Sequence, residues 1–79
     1  MSLEATIGYT IRSIRMSKGV FAKDVAARVP MSAGYLCEIE RNEAAPSILM
    51  LADIAKALDM KVADLWYEIY KNLGGKSES

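Results

Sequence analysis

SAGYLCEIERNEAAPS, from Ser32 to Ser47, is the stretch whose reading decides the fold. Ser32 is a strong N-cap, since its hydroxyl can accept from a backbone N–H in the first turn of a helix. Met31 before it and Leu36 four positions after it have the spacing of a hydrophobic staple. Leu36, Ile39 and part of Tyr35 then face inward. Arg41-Asn42 closes the helix, because Asn tolerates the left-handed conformation best after Gly. The loop Glu43 to Pro46 follows, and Ser47 caps another helix. The outward face of the enclosed helix carries Ala33, Gly34, Cys37 and Glu38, with no Arg, Lys, Asn or Gln among them.

On both sides of this stretch the hydrophobic period is helical, and no strand-like alternation of useful length occurs. Ile7, Ile11 and Ile14 recur at i, i+4, i+7, which predicts a first helix over Leu3 to Ser17, stopped by Lys18-Gly19. A short second helix is expected from Ala22 to Val29, with Val25, Ala26 and Val29 on one face and Pro30 ending it. The helix capped by Ser47 has an inward stripe of Ile48, Leu51, Ile54, Ala55 and Leu58. A fifth, Val62 to Asn72, places Val62, Leu65, Trp66, Ile69, Tyr70 and Leu73 at three- and four-residue spacing. The expected fold class is all-α, five helices in one domain over residues 1–73, followed by a polar, Gly-rich tail from Gly74 to Ser79 read as disordered.

A core of this size is marginal without help from disulfides, a metal or a partner subunit. Cys37 is the lone cysteine of the 79 residues and there is no histidine, so an intrachain disulfide is excluded and a thiolate/imidazole zinc site is not expected. No metal or cofactor is expected, and a partner subunit is the help that remains. No apolar run approaches the roughly 18–20 residues of a membrane span, and there is no secretory signal. The lone thiol fits a reducing cytoplasm. An enzyme is not expected either. No activated-nucleophile pattern is present, and Glu38 and Glu40 point roughly 200° apart on a helix, so they are not a carboxylate pair.

Formal net charge is zero, but it is distributed unevenly. Up to Arg41 there are six bases and four acids; from Asn42 onward there are four bases and six acids. The half containing the short second helix, the tight turn and the capped third helix is the basic one.

Those two helices and their turn form a helix-turn-helix pattern. Residues at fixed offsets make it specific: Ile11, Arg15 and Lys18-Gly19, then Val25-Ala26, Ser32, Tyr35-Leu36, Ile39-Glu40-Arg41, Pro46-Ser47, Leu51, Ile54-Ala55 and Ala57-Leu58. Over about Ile7 to Leu65 the chain resembles the Cro/repressor-type helix-turn-helix family, also called the xenobiotic-response-element family. The resemblance implies a five-helix, lambda-repressor-like DNA-binding domain, usually dimeric, whose third helix enters the major groove. It places base contacts on Ala33, Gly34 and Glu38. It places phosphate contacts at the start of the second helix, on Ala22 and Lys23, and around Ser32, Tyr35, Arg41 and Asn42. It also implies an ion pair between Arg15 and Glu40. The departures lie mainly on the binding surface. Many members carry Thr or Ser and then Gln where this chain has Phe21-Ala22, and two family glycines are replaced by Asn42 and Asp59. Phe21 has two readings, a plug folded into the core or an exposed residue near DNA.

Leu49, Met50, Trp66, Ile69, Tyr70 and Leu73 together exceed what one small core needs. An apolar excess on a small domain predicts an interface, and the expectation is an isologous homodimer built from the fourth and fifth helices. The leading functional reading is a homodimeric, sequence-specific regulator on a palindromic operator in double-stranded DNA, of phage-repressor, controller or antitoxin type. The alternative is a protein-interaction module that keeps the scaffold with weak or lost DNA binding.

Overall fold

The computed structural model describes residues 2–74. Most of the stretch read as a tail, residues 75–79, lies outside the described residues. Five helices follow one another: α1 Leu3–Ser17, α2 Ala22–Ala26, α3 Ala33–Glu40, α4 Ile48–Ala57 and α5 Val62–Asn72. Among the described residues there is no strand.

Local chemistry sets most of the boundaries. The hydroxyls of Ser2, Ser32 and Ser47 accept from the amides of Ala5, Tyr35 and Met50 at 3.0–3.1 Å, capping α1, α3 and α4. Phe21 holds the N-cap position of α2 without any cap to offer. Asp24 compensates in part, its carboxylate accepting from the Phe21 amide at 3.1 Å, which is one half of a capping box. Asn42 and Asp59 adopt left-handed φ values of 63° and 58° after α3 and α4. Their short polar side chains make that conformation tolerable.

The second helix is shorter than its hydrophobic pattern suggests. It ends at Ala26, and the amides of Arg28 and Val29 then bond to the carbonyls three residues back, at Val25 and Ala26. Pro30 disfavours the α conformation in the residue before it, so the last turn tightens while Val29 still reaches the core. Ile48 and Val62 also depart from expectation. The spacing puts Ile48 on the inward stripe of α4 and Val62 on the apolar period of α5, yet Ile48 is 71% exposed and Val62 is exposed too. Each is the first residue of its helix, where no preceding turn covers it.

Ile11, Val25, Leu36, Ile39, Leu51, Ile54, Leu58, Leu65 and Ile69 form the buried centre. Thr6 and Thr10 join it as the buried polar residues. Thr6 Oγ1 donates back to the Ser2 carbonyl at 2.7 Å, and Thr10 Oγ1 accepts from Asn72 Nδ2 at 2.8 Å, tying α1 to α5. No buried side-chain polar atom among the described residues lacks a partner, so the polar cost of this core is met.

Gly8 sets the closest approach. α1 lies so near the C-terminal turn of α3 that a methyl on Gly8 would collide with the Ile39 carbonyl oxygen and come within 3.0 Å of that of Glu40. Both obstacles are backbone atoms, so the helices themselves would have to separate. Gly8→Ala should therefore destabilise the domain by about 1–3 kcal/mol, despite the roughly 1 kcal/mol that Ala gains in helix propensity. Thermal melting by circular dichroism checks this, and an unchanged or raised midpoint would refute the close approach.

Candidate nucleic-acid interface

The attitude of α3 is fixed from behind. Arg15, in the last turn of α1, donates from Nε to Glu40 Oε2 and from Nη2 to Glu40 Oε1, both at 2.9 Å. Its third nitrogen, Nη1, donates to the Val20 carbonyl at 2.9 Å. The side chains are only 14% and 5% exposed. One guanidinium thus joins α1, the turn before α2 and the end of α3. The hydrogen bond that Arg15 donates to Glu40 raises the Arg15 pKa above its ordinary value, with burial opposing and the Glu40 charge adding to the rise.

In front, α3 presents Gly34 and Glu38 fully outward, with Ala33 and Cys37 half-buried beside them. Gly34 is not required by the fold. A Cβ there would meet nothing nearer than the Ser32 hydroxyl at 3.9 Å, and its backbone is not left-handed. Cys37 is a free thiol, and no metal-ligating cluster occurs among the described residues.

Around this face the expected phosphate holders are in different states. Lys23 and Asn42 are exposed. The Ser32 oxygen serves as the cap of α3. The Tyr35 hydroxyl leans on α4, 3.9 Å from Met50 Sδ, a weak contact. Arg41 is exposed and paired with Glu43 at 2.9 Å. That partner was not foreseen, though an acid two residues after an arginine is a usable signal where a helix ends in a tight turn. The Arg41 hydrogen bond and charge hold Glu43 below the usual carboxylate range. The pair is therefore intact at neutral pH and is lost only as pH falls through the lowered Glu43 pKa. Its exposure to solvent makes it a weak tie.

The apolar surface of α4 and α5 is real but composed differently from the expectation. Ile69 does not belong to it. At 1% exposure it is core, because it follows Leu65 by four residues on the inward stripe. Ile48 takes its place, and Leu49 is 78% exposed. Tyr70 and Leu73 are exposed, Met50 is half-buried, and Trp66 is half-buried against the core. Phe21, left open between two readings, is 67% exposed.

A family model described as helix-turn-helix matches residues 11–65. The transcriptional regulator ClgR of Mycobacterium tuberculosis is 37% identical over 57 residues, which cover 72% of this chain and 51% of that protein, so the chain spans about half the length of that relative. Among solved structures, the clp gene regulator ClgR of Corynebacterium glutamicum superposes with a TM-score of 0.86 at 34% identity, over 94% of this chain and 96% of that one. The restriction-modification controller protein C.Esp1396I, solved as a tetramer in complex with its natural 35 base-pair operator, gives a TM-score of 0.84 at 26% identity, over 91% and 95%.

Removing one partner of the Arg15–Glu40 pair strands a buried charge. Arg15→Ala should cost about 3–5 kcal/mol, whereas a double replacement by Met and Leu should cost far less. Urea denaturation of both variants measures this, and a loss under about 1 kcal/mol for the single variant would mean that the pair is solvated.

Proposed function

The chain belongs to the Cro/repressor-type helix-turn-helix family of transcriptional regulators, and from that membership we propose that it binds double-stranded DNA sequence-specifically as a homodimer. The observation that carries the reading is the α2–turn–α3 unit, with α3 capped by Ser32, clamped from behind by Arg15 and Glu40, and open in front. Residues 1–73 act as the binding domain, in the cytoplasm, without catalysis. In this reading α3 lies in the major groove. The Ala33 methyl touches a thymine methyl, and Glu38 accepts from a cytosine amino group. Gly34 lets the helix backbone sit deep. Lys23, Ser32, Tyr35, Arg41 and Asn42 hold phosphates, with Arg41 exchanging Glu43 for the duplex. Because the direct contacts are sparse, DNA shape supplies much of the selectivity.

Ile48, Leu49, Met50, Trp66, Tyr70 and Leu73 form the isologous contact between protomers. The two α3 helices then meet half-sites roughly 34 Å apart on a palindromic operator. A second reading, a protein-interaction module with weak DNA binding, is favoured by zero net charge and by the internal engagement of Ser32, Tyr35 and Arg41.

Selection from random duplex DNA, followed by salt titration on the winning sequence, separates the two. With roughly 4–6 phosphates held per dimer, log affinity should fall with log salt at a slope of about −4 to −5. A slope near zero rejects DNA as the partner. Light scattering at tens of micromolar should give a dimer, and Leu49→Glu should shift it to monomer. A wild-type monomer at that concentration rejects the proposed interface.

A further inference from the structure

One surface is explained neither by folding nor by the α3, α4 and α5 faces. Phe21 is 67% exposed and Met16, in the last turn of α1, is 59% exposed. With Arg12, Arg15, Gly19 and Val20 they line an open groove of about 330 Å³. A phenylalanine cannot cap α2, and any Ser or Asp there would serve the helix better. The residue thus breaks a local rule with no return inside the fold.

The charge around this groove is predominantly positive. Arg12 forms part of the wall, Lys18 lies in the adjoining turn and Lys23 in α2. All three are exposed, and among the described residues none has a carboxylate within ion-pair distance. Of the neighbouring acids, Glu40 is paired with Arg15, and Asp24 is an exposed carboxylate that accepts from the Phe21 amide. Two of the cations rest instead on apolar groups. Lys23 Nζ sits 5.9 Å from the Phe21 ring centroid, and Arg12 Nε lies 3.5 Å from Met16 Sδ.

We propose that this groove docks an acidic amphipathic segment of a partner protein. Its apolar side chains enter between Met16 and Phe21, and its carboxylates meet Arg12, Lys18 and Lys23. An exposed aromatic anchor beside an adaptable methionine, ringed by cations, is suited to such a segment. A neutral or basic segment would leave three cations facing nothing. A DNA backbone would satisfy the charges but would offer no side chain to fill the groove. The proposal does not depend on the DNA reading, although Lys23 belongs to both surfaces.

The probe is a short labelled peptide with Leu and Phe on one helical face and Asp and Glu on the other, titrated against the whole chain by fluorescence anisotropy. Binding is expected with a dissociation constant of roughly 10–100 µM, weakened roughly tenfold by Phe21→Ser. Arg12→Gln with Lys18→Gln should weaken it and flatten its salt dependence. Amide shifts in NMR spectra should concentrate between Met16 and Lys23. Phe21→Ser removes an exposed side chain and supplies a cap, so its melting temperature should not fall. Equal binding of a scrambled peptide, indifference to Phe21→Ser, or shifts confined to α4 and α5 would overturn the proposal. So would self-association abolished by Phe21→Ser, or these amides responding to a duplex and not to the peptide.

Discussion

The bidentate bond between Arg15 and Glu40 is the contact on which the rest of the molecule depends. A buried ion pair of this kind contributes little net stability compared with apolar residues of the same shape. Its value is directional. Two parallel N–H donors fix the rotation of Glu40 on the last turn of α3, and the third fixes the Val20 carbonyl in the turn before α2. Gly8 sets the distance at the same junction by letting α1 touch the carbonyls of Ile39 and Glu40. Distance and direction are thus set at one place, by a missing side chain and a planar cation. The two helices of the binding unit have little freedom left.

That rigidity lets a molecule of zero net charge present charge usefully. Two of the four acids of the first half are turned to internal work, Glu40 on Arg15 and Asp24 on the Phe21 amide. Arg12, Lys18 and Lys23 remain outward on that side of the chain. Net charge alone would have hidden this, since it counts engaged and free groups alike. The same holds on the apolar side. Trp66 is partly packed against the core, while Ile48 and Leu49 stand out from the first turn of α4.

The fold was legible in the sequence because its signals are local. Serine caps, left-handed residues and a three-to-four residue apolar period each act within one turn of chain. Where a tertiary neighbour decides, reading fails. Ile48 and Val62 carry the right residue type at the right spacing, but no element lies over the first residue of either helix. Ile69 reads equally well as core or interface until Leu65 shows which way the stripe turns. Thr6 and Thr10 are missed because an apolar period does not count threonine: the Thr6 hydroxyl is satisfied locally on the Ser2 carbonyl, and that of Thr10 by the distant Asn72. The α3 face was found through family offsets. The internal engagements of Tyr35 and Arg41 needed three dimensions.

Gly34 carries a last consequence. Nothing in the packing or the backbone of α3 asks for a glycine there, and Glu38 beside it is likewise outside the core. The positions that face outward are therefore energetically separate from those that hold the domain together. Such a surface is a blank template: its side chains can be rewritten, by evolution or by an engineer, with the clamp behind it unaware of the change. A scaffold arranged this way can diversify what it meets without renegotiating how it folds.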